Sequence, residues 1–322
     1  LSLIRTEETN AAGLPIHIGA SVSCEGVSSE KLLFEADVAL RQAQESGVDG
    51  WRLNSDNSPE QEELNSAAAW QNVLQQAIDT ADLSQFFQPV FDGKGENVLY
   101  YQVLSRLFVK GDWVSAARFI PMAERFGLLP DLDRLMVQNT LVTLKRFLHE
   151  SLGCSDPKEF PGLCMTLSSQ TLLKSNFVSS IIEMLQAERE LCPKLIFELP
   201  EFGLIPAMAA WQDFIHITRP LGCQFSIDRI GVAGVPFSYL ETMPLDTLKV
   251  DRSYIREIQQ FPDKQFFIRS IMQVAHSRDI KVIAVGVEDE KELDVLKKLE
   301  VDGLLGYLLA RPQKEFIQSK II

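Results

Sequence analysis

The run Tyr100-Tyr101-Gln102-Val103-Leu104-Ser105-Arg106-Leu107 reads as a strand that ends in a cation. Strand side chains alternate, so Tyr100, Gln102, Leu104 and Arg106 share one face while Tyr101, Val103, Ser105 and Leu107 share the other. A guanidinium aimed into a cleft suits a phosphate or carboxylate ligand, because its planar fork donates two hydrogen bonds at once. The competing reading is an arginine in a surface ion pair, the commoner fate of this residue type.

The elements that must position this strand repeat along the chain. Strand-like segments at Gln85 to Phe91, Leu99 to Phe108, Gly162 to Leu167, Leu195 to Leu199, Gln224 to Asp228, Thr247 to Val250, Lys281 to Val285 and Gly303 to Leu305 are separated mostly by helical ones. The helical runs include Asp131 to His149, and Glu290 to Leu299 with Leu293, Leu296 and Leu299 on one side. Strands alternating with helices in this number predict an α/β fold, a (β/α)8 TIM-like barrel, with its chemistry at the C-terminal ends of the strands. The first two strands have no helix between them, so one of them is expected to run antiparallel.

Upstream, Leu14 to Val22 reads as a short strand and Trp51-Arg52-Leu53 as another. Between them a helix is expected, capped by Ser29, striped by Leu32, Leu33, Ala36, Ala39 and Leu40, and stopped at Gly47. Residues 54–63 are polar, acidic and broken by proline, the composition of a linker. A helix from Leu64 to Ala81 follows, with Trp70, Val73, Leu74 and Ala77 at helical spacing. The expected division is residues 1–55, a linker at 56–65, and a barrel domain at 66–322.

With 46% hydrophobic and 23% charged residues, the 322-residue chain can bury a full core. The net charge of -13 disfavours broad electrostatic binding to nucleic acid or anionic membranes. An anionic ligand would need a local cationic pocket instead. No apolar run reaches the ~20 residues that span a bilayer, and no leader opens the chain. Because it begins at Leu1, it is expected to be part of a longer protein. The five cysteines, Cys24, Cys154, Cys164, Cys192 and Cys223, show no C-x-x-C spacing, which speaks against metal and disulfide frameworks and for a reducing compartment. The four histidines, His17, His149, His216 and His276, are scattered and are read as structural.

Several motifs carry a family resemblance. Gln102-Val103-Leu104 with Arg106 resembles the signature strand of EAL domains, the bacterial cyclic-di-GMP phosphodiesterase family, whose tripeptide is Glu-Ala/Val-Leu followed two residues on by Arg. Gln88-Pro89-Val90, Phe119-Ile120-Pro121, Ala123-Glu124, Gly127-Leu128, Leu132-Asp133-Arg134, the lysine strand Pro244 to Asp251, Gly306-Tyr307-Leu308 and Arg311-Pro312 match further family motifs in order. The resemblance covers residue 66 to the C-terminus and implies the EAL barrel, in which one strand runs antiparallel. Its wording is closest to LapD-type receptors with degenerate GGDEF and EAL domains. Residues 1–55 resemble the C-terminal part of a GGDEF domain, on Ile18-Gly19, Ala36-Asp37-Val38-Ala39-Leu40 and Gly47 to Gly50.

The family hydrolyses its nucleotide with two divalent metals held by oxygen ligands at strand ends. The resemblance implies that Glu198, Asp228, Lys249 and Glu288 are kept. Gln102, Thr166, Arg229 and Val285 then replace two glutamates, an asparagine and an aspartate of the family set, and Leu305 replaces a glutamine. The loop Gly231 to Pro236 also departs from the family wording. Arg229 would repel a metal, and an ion pair with Asp228 or Glu198 is favoured over direct ligand contact.

The nucleotide-binding positions survive: Arg106 for a phosphate, Leu104 under a base, Gln88, Asp133 and Glu288 as hydrogen-bonding partners, and Tyr307 as a stacking face whose plainer reading is a core tyrosine on a strand. The implied function is a catalytically inactive receptor that binds cyclic-di-GMP without a metal cofactor and relays its level to upstream GGDEF and signalling segments. It would form the cytoplasmic portion of a bacterial inner-membrane protein, with a second copy of the chain as a further candidate partner. The alternatives are an interaction scaffold that binds no nucleotide and a residual phosphodiesterase.

Overall fold

The computed structural model describes residues 17–21, 36, 39, 50–54, 67–150 and 161–316. The chain divides into two compact units, one of Leu1–Ala77 with Ala117–Phe126 and one of Ile78–Ala116 with Gly127–Ile322.

In the first unit, β1 (His17–Ser21) pairs in parallel with β2 (Gly50–Asn54), with Ile18 opposite Trp51. Parallel strands need a crossover between them. Ala36 and Ala39 are helical there; the rest of the helix expected from Ser29 to Gly47 and the linker at 56–65 lie outside the described residues. The helix Ala67–Asp79 buries Trp70, Leu74 and Ala77, the stripe that its spacing predicts. The helix Ala116–Arg125 buries Phe119, Met122 and Ala123.

The second unit is a closed barrel of eight strands: β3 (Ser84–Asp92), β4 (Val98–Val109), β6 (Gly162–Thr166), β7 (Leu195–Pro200), β8 (Gln224–Ile230), β9 (Thr247–Val250), β10 (Lys281–Val285) and β11 (Gly303–Leu305). Strand β3 pairs antiparallel with both β4 and β11, and the remaining barrel pairs are parallel. A short β5 (Asp112–Ser115) folds back on β4 as a hairpin that the sequence reading did not anticipate. Its two-residue turn, Lys110-Gly111, is left-handed at both positions, with φ of 52° and 90°, the geometry that matches strand twist in a tight hairpin.

Inside the barrel, Val90, Tyr100, Cys164, Ile196, Ile283 and Leu305 form a buried cluster with Leu99 and Val285 packed against it. Outside it, the helix Leu204–Thr218 brings Trp211 and Phe214 against Phe197 and Phe225. All four aromatic side chains are fully buried, and each contributes about 2 kcal/mol of apolar burial.

Candidate functional site

The strand register collects polar side chains at one level of the barrel. Gln102 on β4 lies opposite Cys164 on β6, Thr166 opposite Glu198 on β7, and Ile283 opposite Lys249 on β9. Glu198 and Lys249 are 2% and 1% exposed and form an ion pair. Lys249 also donates to the Gln102 side-chain oxygen and contacts the Cys164 sulfur at 3.6 Å. Glu198 accepts from Gln102 Nε2 at 3.3 Å, Thr166 Oγ1 at 3.1 Å and Cys164 Sγ at 3.5 Å. A buried charge is tolerable only when it is paired and hydrogen-bonded, and this network meets that condition for both ions.

Burial works to discharge Lys249, but Cys164, Glu198, Tyr100 and Asp228 around it hold its pKa well above the ordinary value. The Lys249 ammonium lies 5.4 Å from the centre of the Tyr100 ring. Asp228, at the end of β8, is partly buried. Burial, with the Glu198 charge behind it, raises its pKa to about 7, against the opposing pull of Lys249 and Arg229. One cation therefore serves two acids, and the second acid is held close to neutrality.

The polar side chains at this level are engaged with one another. Among the described residues no group of three or more His, Cys, Asp or Glu side chains could hold a metal ion. Both Glu198 oxygens are already engaged by Lys249, Gln102, Thr166 and Cys164. Val285 and Leu305 present apolar wall beside them.

Further along the same face of β4, Leu104 and Arg106 are half-buried. Arg106 donates to the Ser105 carbonyl at 2.9 Å and lies 5.6 Å from the centre of the Phe86 ring. Among the described residues it forms no ion pair, so the surface-pair reading does not describe it. Burial lowers its pKa, and Tyr307 opposes that effect. Tyr307 is not a core residue on a strand: it follows β11 in a turn, is 50% exposed, and has the Arg311 guanidinium 5.2 Å from its ring centre. Arg106, Tyr307 and Arg311 thus give the β4 and β11 side of the barrel mouth a cationic and aromatic character.

The remaining expected residues are more dispersed. Gln88 is buried on β3 and donates to the Ala310 carbonyl at 3.0 Å, tying the strand to the segment after Tyr307. Asp133 is buried, and its Oδ2 accepts from the Ser168 amide and the Thr171 hydroxyl, both at 2.7 Å. Burial raises its pKa to about 6. Those bonds brace the loop after β6 against the helix Leu129–Glu150. Glu288 is exposed after β10.

Arg229 corrects an expectation, since it pairs with neither Asp228 nor Glu198. It sits in the β8 irregularity between Ile227 and Ile230 with φ of 57°, and its side chain is exposed. The guanidinium is near enough to lower the Asp228 pKa without forming an ion pair with it.

Two participants escaped the sequence reading. Cys164 completes the shell around Lys249 and Glu198; an isolated cysteine within an apolar strand gives no signal of that role. Glu201, fully buried, accepts from the Gly231 amide and the Tyr239 hydroxyl, both at 3.0 Å, and so holds the loop after β8. Its appearance in Phe-Glu-Leu-Pro-Glu, beside the noted Glu198, was the available clue.

Comparison with known proteins places this architecture. The family described as EAL domain matches residues 71–312. The RNase E specificity factor CsrD of Escherichia coli strain K12 is 23% identical over 299 residues, covering 92% of this chain and 44% of its own length. The cyclic di-GMP phosphodiesterase PdeF of the same strain is 28% identical over 254 residues, covering 79% of this chain and 33% of its own length. The chain thus spans less than half the length of either relative. The S helix-GGDEF-EAL structure of Vibrio cholerae LapD, bound to c-di-GMP, aligns with a TM-score of 0.77 at 19% identity over 90% of this chain and 68% of that one. The FimX EAL domain from Pseudomonas aeruginosa, bound to c-di-GMP, aligns with a TM-score of 0.67 at 24% identity over 77% of this chain and 98% of that one. At these identities the structural likenesses speak for the fold, and the match over residues 71–312 speaks for descent: the chain belongs to the EAL domain family.

Proposed function

We propose that this chain is a catalytically inactive EAL receptor that binds cyclic-di-GMP and passes its level to the rest of a longer signalling protein. One contrast carries the reading. At the metal level, the Glu198 oxygens are consumed by Lys249, Gln102, Thr166 and Cys164. At the mouth, the half-buried Arg106 has no carboxylate partner among the described residues. A phosphodiester can satisfy that guanidinium with two charge-assisted bonds, whereas a metal pair that would activate water has no group of three or more His, Cys, Asp or Glu ligands among the described residues. Leu104 and Tyr307 supply apolar and aromatic surface for the bases. Gln88, Asp133 and Glu288 are the candidate partners for base edges and ribose, and Glu198, Asp228 and Lys249 form the polar floor.

Residues 1–55 are read as a GGDEF remnant that takes part in the relay, in the manner of LapD-type receptors. The longer protein is read as membrane-attached, with this portion on the cytoplasmic side; among the described residues no helix is long and apolar enough to cross a membrane. The relative CsrD is described as an RNase E specificity factor, and a second reading is an interaction scaffold that binds no nucleotide.

Calorimetry with cyclic-di-GMP in chelator, with chromatography of a parallel mixture supplied with magnesium or manganese, tests all three readings. The receptor reading expects saturable binding that survives chelation and yields no linear dinucleotide. No binding would favour the scaffold. Linear product abolished by Lys249→Ala would establish a phosphodiesterase.

A further inference from the structure

A cyclic dinucleotide carries two phosphodiester charges, and the bidentate fork of one guanidinium meets one of them. The floor of the site leaves no positive charge over for the other. Lys249 is engaged by Glu198, and Arg229 sits next to Asp228 in the chain, where their charges offset each other. Glu288 adds an exposed carboxylate after β10, and the chain as a whole has a net charge of -13. A dianion held here without metal therefore needs a second cation at the mouth.

Arg311 is placed to be that cation. The segment after β11 runs back along β3: Gln88 donates to the Ala310 carbonyl at 3.0 Å, and Gln313 exchanges backbone hydrogen bonds of 2.7 and 3.0 Å with Phe87. The Arg311 backbone is thus tethered to β3 on both sides. Phe87 faces Val103 of β4 across its other edge, so β4 and the returning segment lie on opposite edges of β3. Beside Phe87 is Phe86, and the Arg106 guanidinium lies 5.6 Å from its ring centre. The Arg311 guanidinium lies 5.2 Å from the centre of the Tyr307 ring, and Tyr307 follows the C-terminal end of β11, the end of the barrel that carries the site. Arg311 is exposed and forms no ion pair among the described residues. An aromatic face steadies a guanidinium and leaves the N–H donors on its edge free for an anion.

We propose that Arg311 is a second phosphate anchor of the site, so that Arg106 takes one phosphodiester of cyclic-di-GMP and Arg311 the other. The proposal rests on the receptor reading above and adds to it a residue and a source of charge: two guanidinium groups, one on each flank of β3, stand in for the positive charge of a metal pair.

Calorimetry of the full chain with cyclic-di-GMP in chelator, at low and at high sodium chloride, gives the test. Arg311→Gln should weaken binding about tenfold at low salt and by less at high salt, because screening removes what an exposed charge contributes. Arg311→Lys, which keeps the charge, should keep the salt dependence of the unmodified chain. Unchanged affinity in Arg311→Gln, or a loss that is equal at low and high salt, overturns the anchor and leaves the receptor reading standing. Absence of binding by the unmodified chain overturns the receptor reading and the anchor with it. Phenylglyoxal labelling of the unmodified chain, mapped by mass spectrometry, needs no variant to fold: nucleotide should protect Arg311 and leave Arg278, exposed at the N-terminal end of β10, as reactive as before. Equal labelling of Arg311 with and without bound nucleotide overturns the proposal.

Discussion

In the proposed receptor, ligand binding turns on Arg106, the half-buried cation on the signature strand without a carboxylate partner among the described residues. Among the described residues its side chain hydrogen-bonds only to the carbonyl of its neighbour Ser105 and makes no ion pair, so Arg106→Ala should leave the fold intact and weaken cyclic-di-GMP binding by at least ~2 kcal/mol, about thirtyfold in Kd. Unchanged calorimetric affinity in a folded variant would remove Arg106 from the site. A different residue governs the response to pH. Asp228 has a pKa of about 7 in the fold against an ordinary 3.8, raised mainly by burial and then by Glu198. Between about pH 4 and 7 the native state keeps a proton that the unfolded chain has released, so this group's contribution to stability falls as pH rises through that window. Asp228→Asn removes the loss: its Tm should exceed that of the unmodified chain by about 3 °C at pH 8 and match it at pH 4. Melts without ligand across this range decide the matter, and a constant difference at every pH would mean that Asp228 is not held near neutrality. Glu198, Asp228 and Lys249 were legible through the family resemblance, whose motifs point to them within the strands read from the sequence. The sequence could not show Cys164 joining them, since that contact depends on register between strands.

The strands themselves were largely legible, and the loops were not. Eight apolar runs bounded by turn residues correspond to the eight barrel strands, because burial on both faces forces continuous hydrophobic stretches. The β4–β5 hairpin was missed because its left-handed turn rests on Lys110 and Gly111 rather than a residue pair typical of such turns. Tyr307 lies in the turn that follows β11, so the plainer reading of a core tyrosine on a strand does not describe it. The loop after β8 shows what positions such segments. Gly231 has φ of 97°, donates its amide to Glu201, and accepts from the Tyr254 hydroxyl at 3.1 Å. A Cβ there would fall 2.7 Å from the Tyr254 ring and 2.8 Å from the Phe267 ring, which stack on each other at 3.9 Å. Gly231→Ala must therefore strain the backbone and part the stacked rings, at a cost of about 2 kcal/mol. Chemical denaturation should show that loss. An unchanged midpoint would mean that the loop moves aside freely and that Glu201 does not fix it.

At the scale of the whole molecule, the chain passes repeatedly between its two compact units. Ala117–Phe126 groups with the N-terminal residues although both of its neighbours in sequence belong to the barrel unit. Arg106 pairs in register with Ser115, the residue from which the chain enters the helix Ala116–Arg125. A ligand on Arg106 therefore acts on a strand pair that is covalently continuous with a piece of the other unit. Such continuity produces regulation only if the ligand binds one arrangement of the units better than another. If the arrangement without nucleotide is the poorer binder, removing residues 1–65 should release the barrel domain, and residues 66–322 should bind cyclic-di-GMP five- to tenfold more tightly than the intact chain, a coupling of about 1 kcal/mol. Linkage requires the reverse effect to match: saturating nucleotide should raise the opening equilibrium of the intact chain by the same factor. Limited proteolysis within the acidic residues 56–65, which the sequence marks as a linker, reads that equilibrium without any truncation, and so guards against a shortened chain that folds poorly. Tighter binding by the shortened chain together with faster linker cleavage under nucleotide supports the relay. Equal affinities with unchanged cleavage would leave a barrel that senses the nucleotide but has no means of telling the N-terminal unit.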